Sequence, residues 1–321
     1  MMSDILEPVI DQAIFDSSPH ELVEIFDSYL ASQDKSDDTR RIYTYMLAKF
    51  FNWLGDIPYD SVNASDVLRW RADLMNEYKP LTVATHFAAV RNFYDYILNA
   101  GIIKTNPLVG IKVNRGTQKA TQKLTHKDYL ALLATCEGNS AIDIRDRTIM
   151  VLGYELALRG VEILDIDMSD FDVLHGRRIL WVRTRGDIEK EDYMIIPDSV
   201  GKILDEWLSV RGPEPGPLFF FLVGDQKKAQ LSNHNLYTLW RVRKEAAGIS
   251  GKRKTFLSLR QTAIHNRARY AVEHGKSIYL VQAFARHKSP RATLAYFPEV
   301  DKSEDPPELW DCTPEDDYPD C

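Results

Sequence analysis

The stretch ARHKSPRATLAYFPEV, residues 285–300, holds His287 between Arg286 and Lys288 and sets Tyr296 nine positions further on, with Arg291 in between. Ser289-Pro290 has the form of an N-cap followed by proline in the first turn. The pattern therefore predicts a short helix starting near His287 that carries Tyr296 one or two turns in. A Tyr-Phe pair such as Tyr296-Phe297 is, by itself, ordinary core packing, and a single histidine is ordinarily a surface or satisfied core residue. The pair acquires meaning only if distant parts of the chain bring charge to it.

Breaking a phosphodiester without a metal needs fixed cations for the charge that grows on the non-bridging oxygens. Guanidinium groups suit because they stay charged and hold two oxygens at once. The reaction also needs a nucleophile able to form a covalent intermediate and a proton donor for the departing oxygen. A phenol titrates near about 10, and clustered arginines are expected to favour its ionised form. Two arginines stand upstream, Arg159 in ELALRGVEILDIDMSDFD (155–172) and Arg260 in LSLRQTA (257–263). Each has a duller reading. Arg159 has Glu162 and Asp165 close by at helical spacing, a surface pair worth under ~1 kcal/mol, and Arg260 shares a basic helix with Arg267 and Arg269.

Upstream of these segments the chain divides in two. Residues 1–19 are mixed and Pro/Ser-punctuated, and are expected to be poorly ordered. Over residues 20–108 apolar residues recur at three and four, as in Leu22, Ile25, Phe26 and Leu30 or Phe87, Val90, Phe93 and Ile97, which predicts four or five short helices. SDDTRR and NASD read as helix starts, and Gly101 with Pro107 ends the last one. Residues 109–123 form a basic linker carrying Lys112, Arg115, Lys119 and Lys123. Such a composition suits a solvated linker and also one that runs beside a polyanion. Residues 124–298 form a mixed module, with RRILWVRTR and DYMIIP reading as two strands about the turn GDIEKE, and helical patterns before and after. The fold class expected is mainly α with a small β-hairpin or sheet, α+β, in two domains.

The net charge of −7 argues against a nucleic-acid protein only until its distribution is seen: residues 299–321 hold ten acids against Lys302, so the remainder is mildly positive. This acidic tail, with Leu309 and Trp310 as an apolar anchor, is either disordered or docks on a neighbouring subunit. No run approaches the ~18 apolar residues of a membrane span, and no charged-then-apolar leader follows Met1-Met2. A soluble cytoplasmic, nucleoid-associated protein is expected. Cys136, Cys312 and Cys321 form no CxxC pair, and no metal-ligand spacing, P-loop or dinucleotide fingerprint occurs.

The order of ELALRGVEILDID, a Lys-bearing hairpin, LSLRQTA and ARHKSPRATLAYF resembles the tyrosine recombinase, or phage integrase, family, with TRRIYTYMLAKFFNWL and AAVRNFYDYILNAGIIKTNPL resembling its helical core-binding domain. The resemblance spans roughly residues 20–298 and implies a two-domain clamp on DNA. It implies that Arg159 and Arg260 clamp the scissile phosphate, that Tyr296 attacks it to give a 3'-phosphotyrosyl link and a free 5'-hydroxyl, and that His287 orients the phosphate or shares its protons. Lys190 would protonate the leaving oxygen, with Arg185 in reserve. It implies no cofactor, metal or ATP, double-stranded DNA as partner, and a homo-oligomer, a tetramer on paired sites.

Two features keep a second reading open, that of a DNA-binding protein of the same fold with impaired catalysis. The family places a histidine three positions before the second arginine, where this chain has Leu257, leaving Ser258 or His265 as substitutes. The hairpin lysine is ambiguous between Lys190 and the step at Arg185. A metal nuclease using Glu162, Asp165 and Asp167 is the poorest reading, lacking companion ligands. For DNA contacts the candidates are Arg69, Arg71, Lys79, Thr82, His86 and Arg91 in the first module, then the linker's Lys112, Arg115 and Lys119, then Arg241, Arg243, Lys252, Arg253 and Lys254 in RVRKEAAGISGKRKT.

Overall fold

A computed structural model of the chain describes residues 17–116, 121–184, 189–223 and 226–297. The N-terminal stretch, Lys119, Arg185 and the acidic tail with Leu309 and Trp310 lie outside the described residues. The chain divides between residues 119 and 120 into two compact units.

The first unit is built from α1 (Pro19–Ser32), α2 (Asp37–Leu54), α3 (Ala64–Glu77) and α4 (Pro80–Asn99). The starts follow from local chemistry. Ser36 accepts the Thr39 amide, Asn63 and Asp66 cap one another reciprocally, and Pro80 opens α4, where its missing N–H costs nothing. The apolar stripes meet in an aromatic core, with Phe26 edge-on to Phe93 at 5.7 Å and Phe50 against Trp70 at 4.7 Å. Leu108 is fully buried in the same cluster, so the chain leaving α4 returns to pack on it.

The second unit runs through α5 (His126–Ala134), α6 (Ala141–Glu155) and α7 (Gly160–Leu164) to β1 (Phe171–Leu174), β2 (Arg177–Val182) and β3 (Asp192–Ile195). After α8 (Asp198–Arg211) come a second strand pair, β4 (Phe220–Val223) with β5 (Gln226–Gln230), and then α9 (Asn233–Ala246), α10 (Leu257–Glu273), α11 (Ile278–Ala285) and α12 (Pro290–Leu294). The fold is mainly helical with small sheets, as the patterning indicates. The hairpin gains a third strand: β1 pairs antiparallel with β2, so the sheet order is β1-β2-β3. DMSDFDVL lacks clean alternation because only one edge of β1 is paired and its residues are mostly exposed.

Ala141 to Glu155 and Leu257 to Glu273 pack against each other as α6 and α10, so the segments bearing Arg159 and Arg260 approach although 101 residues separate them. Buried charge accompanies this packing: Arg145 and Arg243 both bind Asp146, at 2.7 and 2.8 Å, and Arg243 also reaches Asp143 at 2.8 Å. Among the described residues no helix is long and apolar enough to cross a membrane.

Candidate active site

Arg159 is the N-cap of α7, and its neighbour Glu162 occupies the third helical position. Glu162 is almost fully buried; it accepts the Arg159 backbone amide at 2.8 Å and a second hydrogen bond from Arg159 Nη1. The pair is therefore a partly buried capping arrangement and not the exposed couple that spacing alone suggests. Burial would raise the Glu162 carboxyl, but Arg286, the Arg159 amide, and the Arg159 and Arg260 guanidinium groups outweigh it and hold the carboxyl below its ordinary value.

Arg260 stands in the first turn of α10, 2% exposed. Its Nη1 donates to the Ala157 carbonyl and its Nη2 to the Ala285 carbonyl, one just upstream of α7 and the other the last residue of α11. A helix end leaves carbonyls without intrahelical partners, and here a guanidinium takes that place. Burial, reinforced by Arg286 and Arg159, pushes Arg260 down to about 9, so it remains a cation at neutral pH.

His287 and Tyr296 lie ring to ring, with centroids 5.7 Å apart. His287 Nδ1 shares a 2.9 Å hydrogen bond with Thr293 Oγ1, a fully buried hydroxyl on α12. Burial and the charges of Arg260, Arg159 and Arg286 push His287 down to about 4, so its imidazole is neutral at pH 7. Two expectations change here. Tyr296 is not inside a helix, because α12 begins at Pro290 and ends at Leu294, and Tyr296 follows in a turn closed by its amide on the Thr293 carbonyl. Its phenol is also not shifted toward ionisation: burial raises it, against the opposing pull of Arg260, a Gln261 hydrogen bond and Arg159. Desolvation of a half-buried phenolate outweighs guanidinium groups whose charge is already shared with carbonyls and Glu162.

The structure thus brings Arg159, Arg260, His287 and Tyr296 together. Lys190 is placed otherwise. Its ammonium donates to the Asp165 carbonyl at 2.6 Å and to Asp170 at 2.5 Å, beyond the C-terminal end of α7. The three acids of the metal-nuclease reading are likewise engaged, Glu162 by arginines, Asp165 by Lys190 and Arg183, and Asp167 as the cap of the turn at 168–170. Neither proposed stand-in for the missing histidine is free. Ser258 is wholly buried and accepts the Thr255 amide, and His265 is tied to Lys123 at 3.0 Å. Leu257 is 40% exposed and lines a cavity of about 430 Å³ with Arg159, Arg241, Lys244 and Lys252.

Several candidate DNA contacts prove to be internal. His86 is 1% exposed, edge-on to Trp70 and beside Tyr78, because its helical position falls on the apolar stripe of α4. Arg91 donates to the Ile111 carbonyl at 3.0 Å and Leu108 at 3.4 Å, securing the returning chain. Arg243 is consumed by Asp143 and Asp146, and Lys254 by Asp128 at 2.8 Å. Arg71 is partly buried, and Arg69 is exposed while paired with Asp66 at 2.5 Å. Lys79, Lys112, Arg115, Arg241, Lys252 and Arg253 are exposed, and Thr82 is half-buried.

Residues not singled out from the sequence also shape the site. Arg286, read only as a basic neighbour of His287, is 5% exposed and bonded to Glu162 at 2.7 Å. Thr293 and Gln261 orient His287 and Tyr296. The single signal that could have marked Arg286 is its place after the apolar run IYLVQAFA, where a helix ends and glycine is the usual choice.

With this geometry in hand, comparison with known proteins is specific. The family described as Phage integrase family matches residues 122–303, and that described as Phage integrase, N-terminal SAM-like domain matches residues 23–101. The chain belongs to the phage integrase family, whose members are tyrosine-type site-specific recombinases. Among its relatives, Tyrosine recombinase XerA of Thermococcus kodakarensis is 28% identical over 284 residues, covering 87% of this chain and 91% of that one. Tyrosine recombinase XerD of Pseudomonas putida is 25% identical over 293 residues, with 86% and 92% covered. A lambda integrase dimer bound to a COC' core site shares the fold, with a TM-score of 0.67 and 19% identity over 88% of this chain and 97% of that one.

Proposed function

We propose that the chain cuts and rejoins double-stranded DNA at specific sites through a 3'-phosphotyrosyl intermediate on Tyr296. The observation that carries this reading is that Arg159, Arg260, His287 and Tyr296, from separate segments, share one electrostatic environment. Arg159 and Arg260 hold the non-bridging oxygens of the scissile phosphate, where developing charge is greatest. Tyr296 Oη attacks phosphorus and the bond to the 5'-oxygen breaks. The phenol is neutral at rest, so its proton must leave during attack; the neutral imidazole of His287 is the neighbouring acceptor, weakly basic among the arginines and made more basic by the negative charge of a bound phosphate. The departing oxygen takes a proton from Lys190, which must first exchange its Asp170 partner for the substrate. Rejoining reverses these steps with another strand's 5'-hydroxyl, so the reaction calls on neither metal nor ATP.

In this reading residues 20–108 bind the core site, 109–123 link, 124–298 catalyse, and 299–321 dock on a neighbouring subunit. Solved relatives of the same fold include a XerH recombinase with difH substrate and a lambda integrase tetramer on a Holliday junction, which supports DNA as partner and a tetramer on paired sites. A suicide DNA substrate tests the chemistry. The wild type is expected to trap a covalent adduct that Tyr296→Phe cannot form, with both proteins binding DNA. Leu257 favours a second reading, a DNA-binding protein with impaired cleavage, because an exposed leucine beside Arg159 offers no hydrogen bond to a phosphate. Binding without any adduct in the wild type would establish that alternative.

A further inference from the structure

We infer that Arg286 is a positioning residue for DNA cleavage: its buried guanidinium, acting through Glu162 and the Ala157 carbonyl, fixes Arg159 against the phosphate. The inference rests on the recombinase reading above and adds a residue to it. Arg286 closes α11 in the left-handed region, with φ 51° and ψ 48°, a conformation that glycine adopts freely and a side chain bearing Cβ does not. It is a buried cation, and its Nε finds no hydrogen-bond partner among the described residues. A glycine here would remove the backbone strain, the buried charge and the unpaired donor at one stroke, so these liabilities must be offset by what the side chain touches.

What it touches is the support of Arg159. Arg286 Nη2 donates to Glu162 Oε2 at 2.7 Å and to the Ala157 carbonyl at 2.8 Å, while Nη1 reaches the carbonyls of Phe284 at 3.2 Å and Leu156 at 3.3 Å. Glu162 Oε2 also accepts the Arg159 amide, and its Oε1 accepts Arg159 Nη1. One carboxylate therefore bridges the two arginines. Ala157, two residues before Arg159, is itself left-handed at φ 49°, and its carbonyl receives both Arg286 and Arg260. Arg286 thus holds Arg159 twice, its side chain through Glu162 and its backbone through Ala157. Without Arg286, Oε2 keeps only an amide, and the carboxylate gains freedom to turn and carry Arg159 with it.

The test uses the full-length chain and single-turnover cleavage of a suicide substrate at saturating DNA. Arg286→Gly, which suits the backbone, is expected to slow adduct formation by about ten- to a hundredfold, the scale of a misplaced catalytic group, with the DNA dissociation constant held within about twofold. On an Arg159→Lys background the same change should cost less than about twofold more, because both substitutions act on one interaction. A purely structural role would lower the rate by the same factor on either background, and that outcome overturns the inference, as does a wild-type rate in Arg286→Gly. Should the glycine variant fail to fold, Arg286→Lys decides: it keeps the charge but cannot bridge Glu162 and Ala157 as a planar fork does. Slowed cleavage at unchanged DNA affinity then supports the proposal, and a wild-type rate overturns it. A wild type that binds DNA and forms no adduct would instead overturn the recombinase reading, and this inference with it.

Discussion

The two units fill their interiors with different matter. Around Phe26, Phe50, Trp70, Phe87 and Phe93 the first unit is a stack of rings in offset and edge-on pairs, and its buried Asp66 serves as a helix cap. The second unit buries Arg145, Asp146, Glu162, Arg211, Arg260 and Arg286, most of them bonded to backbone carbonyls or to one another. Apolar burial is forgiving of small changes of shape, whereas a buried charge is tolerable only while its partners are in place. The difference teaches where function resides. On the proposed reading, a module that presents a surface to DNA can be held by rings, but one that aims several cations at a single phosphate has to build polar supports inside its own core.

Shape-preserving substitutions put that contrast under strain. Glu162→Gln keeps the volume and removes the charge, leaving Arg159, Arg260 and Arg286 without their shared anion. The expected loss is about 3–5 kcal/mol, as for any buried pair stripped of one partner, read as an earlier urea transition of the second unit. Leu30→Met in the first unit, at a fully buried position, conserves volume and adds no polar group, so it should cost under about 1.5 kcal/mol. If the glutamine variant were the milder of the two, the distinction between the units would collapse.

Titration separates the units more finely. A His whose folded pKa is depressed disfavours protonation of the native state, so stability rises with pH wherever the unfolded chain binds more protons. For His287 that window runs from its ordinary value near about 6.5 down to about 4, and stability is lost as pH falls through it. Glu162, held below its ordinary value, contributes stability that is present above the unfolded carboxyl pKa and is lost at still lower pH. His287→Gln should therefore flatten the upper part of the acid limb in melts of the second unit and leave the lower part intact. An unchanged limb would mean that the imidazole is not held neutral by its burial and the arginines around it.

How much of this was legible in the sequence follows the same division. Helices α1 to α4 were readable because three-and-four spacing and the caps at Ser36 and Asn63 agree. Arg159, Arg260, His287 and Tyr296 stand in a distinctive order, although each alone is ambiguous, and the fold places them near one another. What escaped was everything settled by long-range packing. Nothing local says that Arg243 and Lys254, in a basic run, meet Asp143, Asp146 and Asp128 from a distant part of the sequence. His86 reads as a groove candidate by side-chain type alone, yet its turn of α4 faces Trp70. The raised phenol of Tyr296 is the same lesson in electrostatics, since counting nearby arginines ignores both burial and the carbonyls that already engage them.

The smallest effect is expected at Arg69, and it tests the claim that charge outside the second unit's core does not hold the fold. Its side chain is 64% exposed and pairs with Asp66, which keeps its capping bond to the Asn63 amide whether or not Arg69 is present. Arg69→Ala should therefore change stability by less than about 0.5 kcal/mol, within the range of exposed pairs. DNA binding is where the residue would show itself. Removing one cation that neutralises a phosphate of B-form DNA lowers the slope of log affinity against log salt by about one, uniformly across sequences. A reduced slope with an unchanged melt makes Arg69 part of the DNA surface. An unchanged slope leaves it as the partner of a helix cap, and moves the electrostatic footprint of the first unit to Lys79, Lys112 and Arg115.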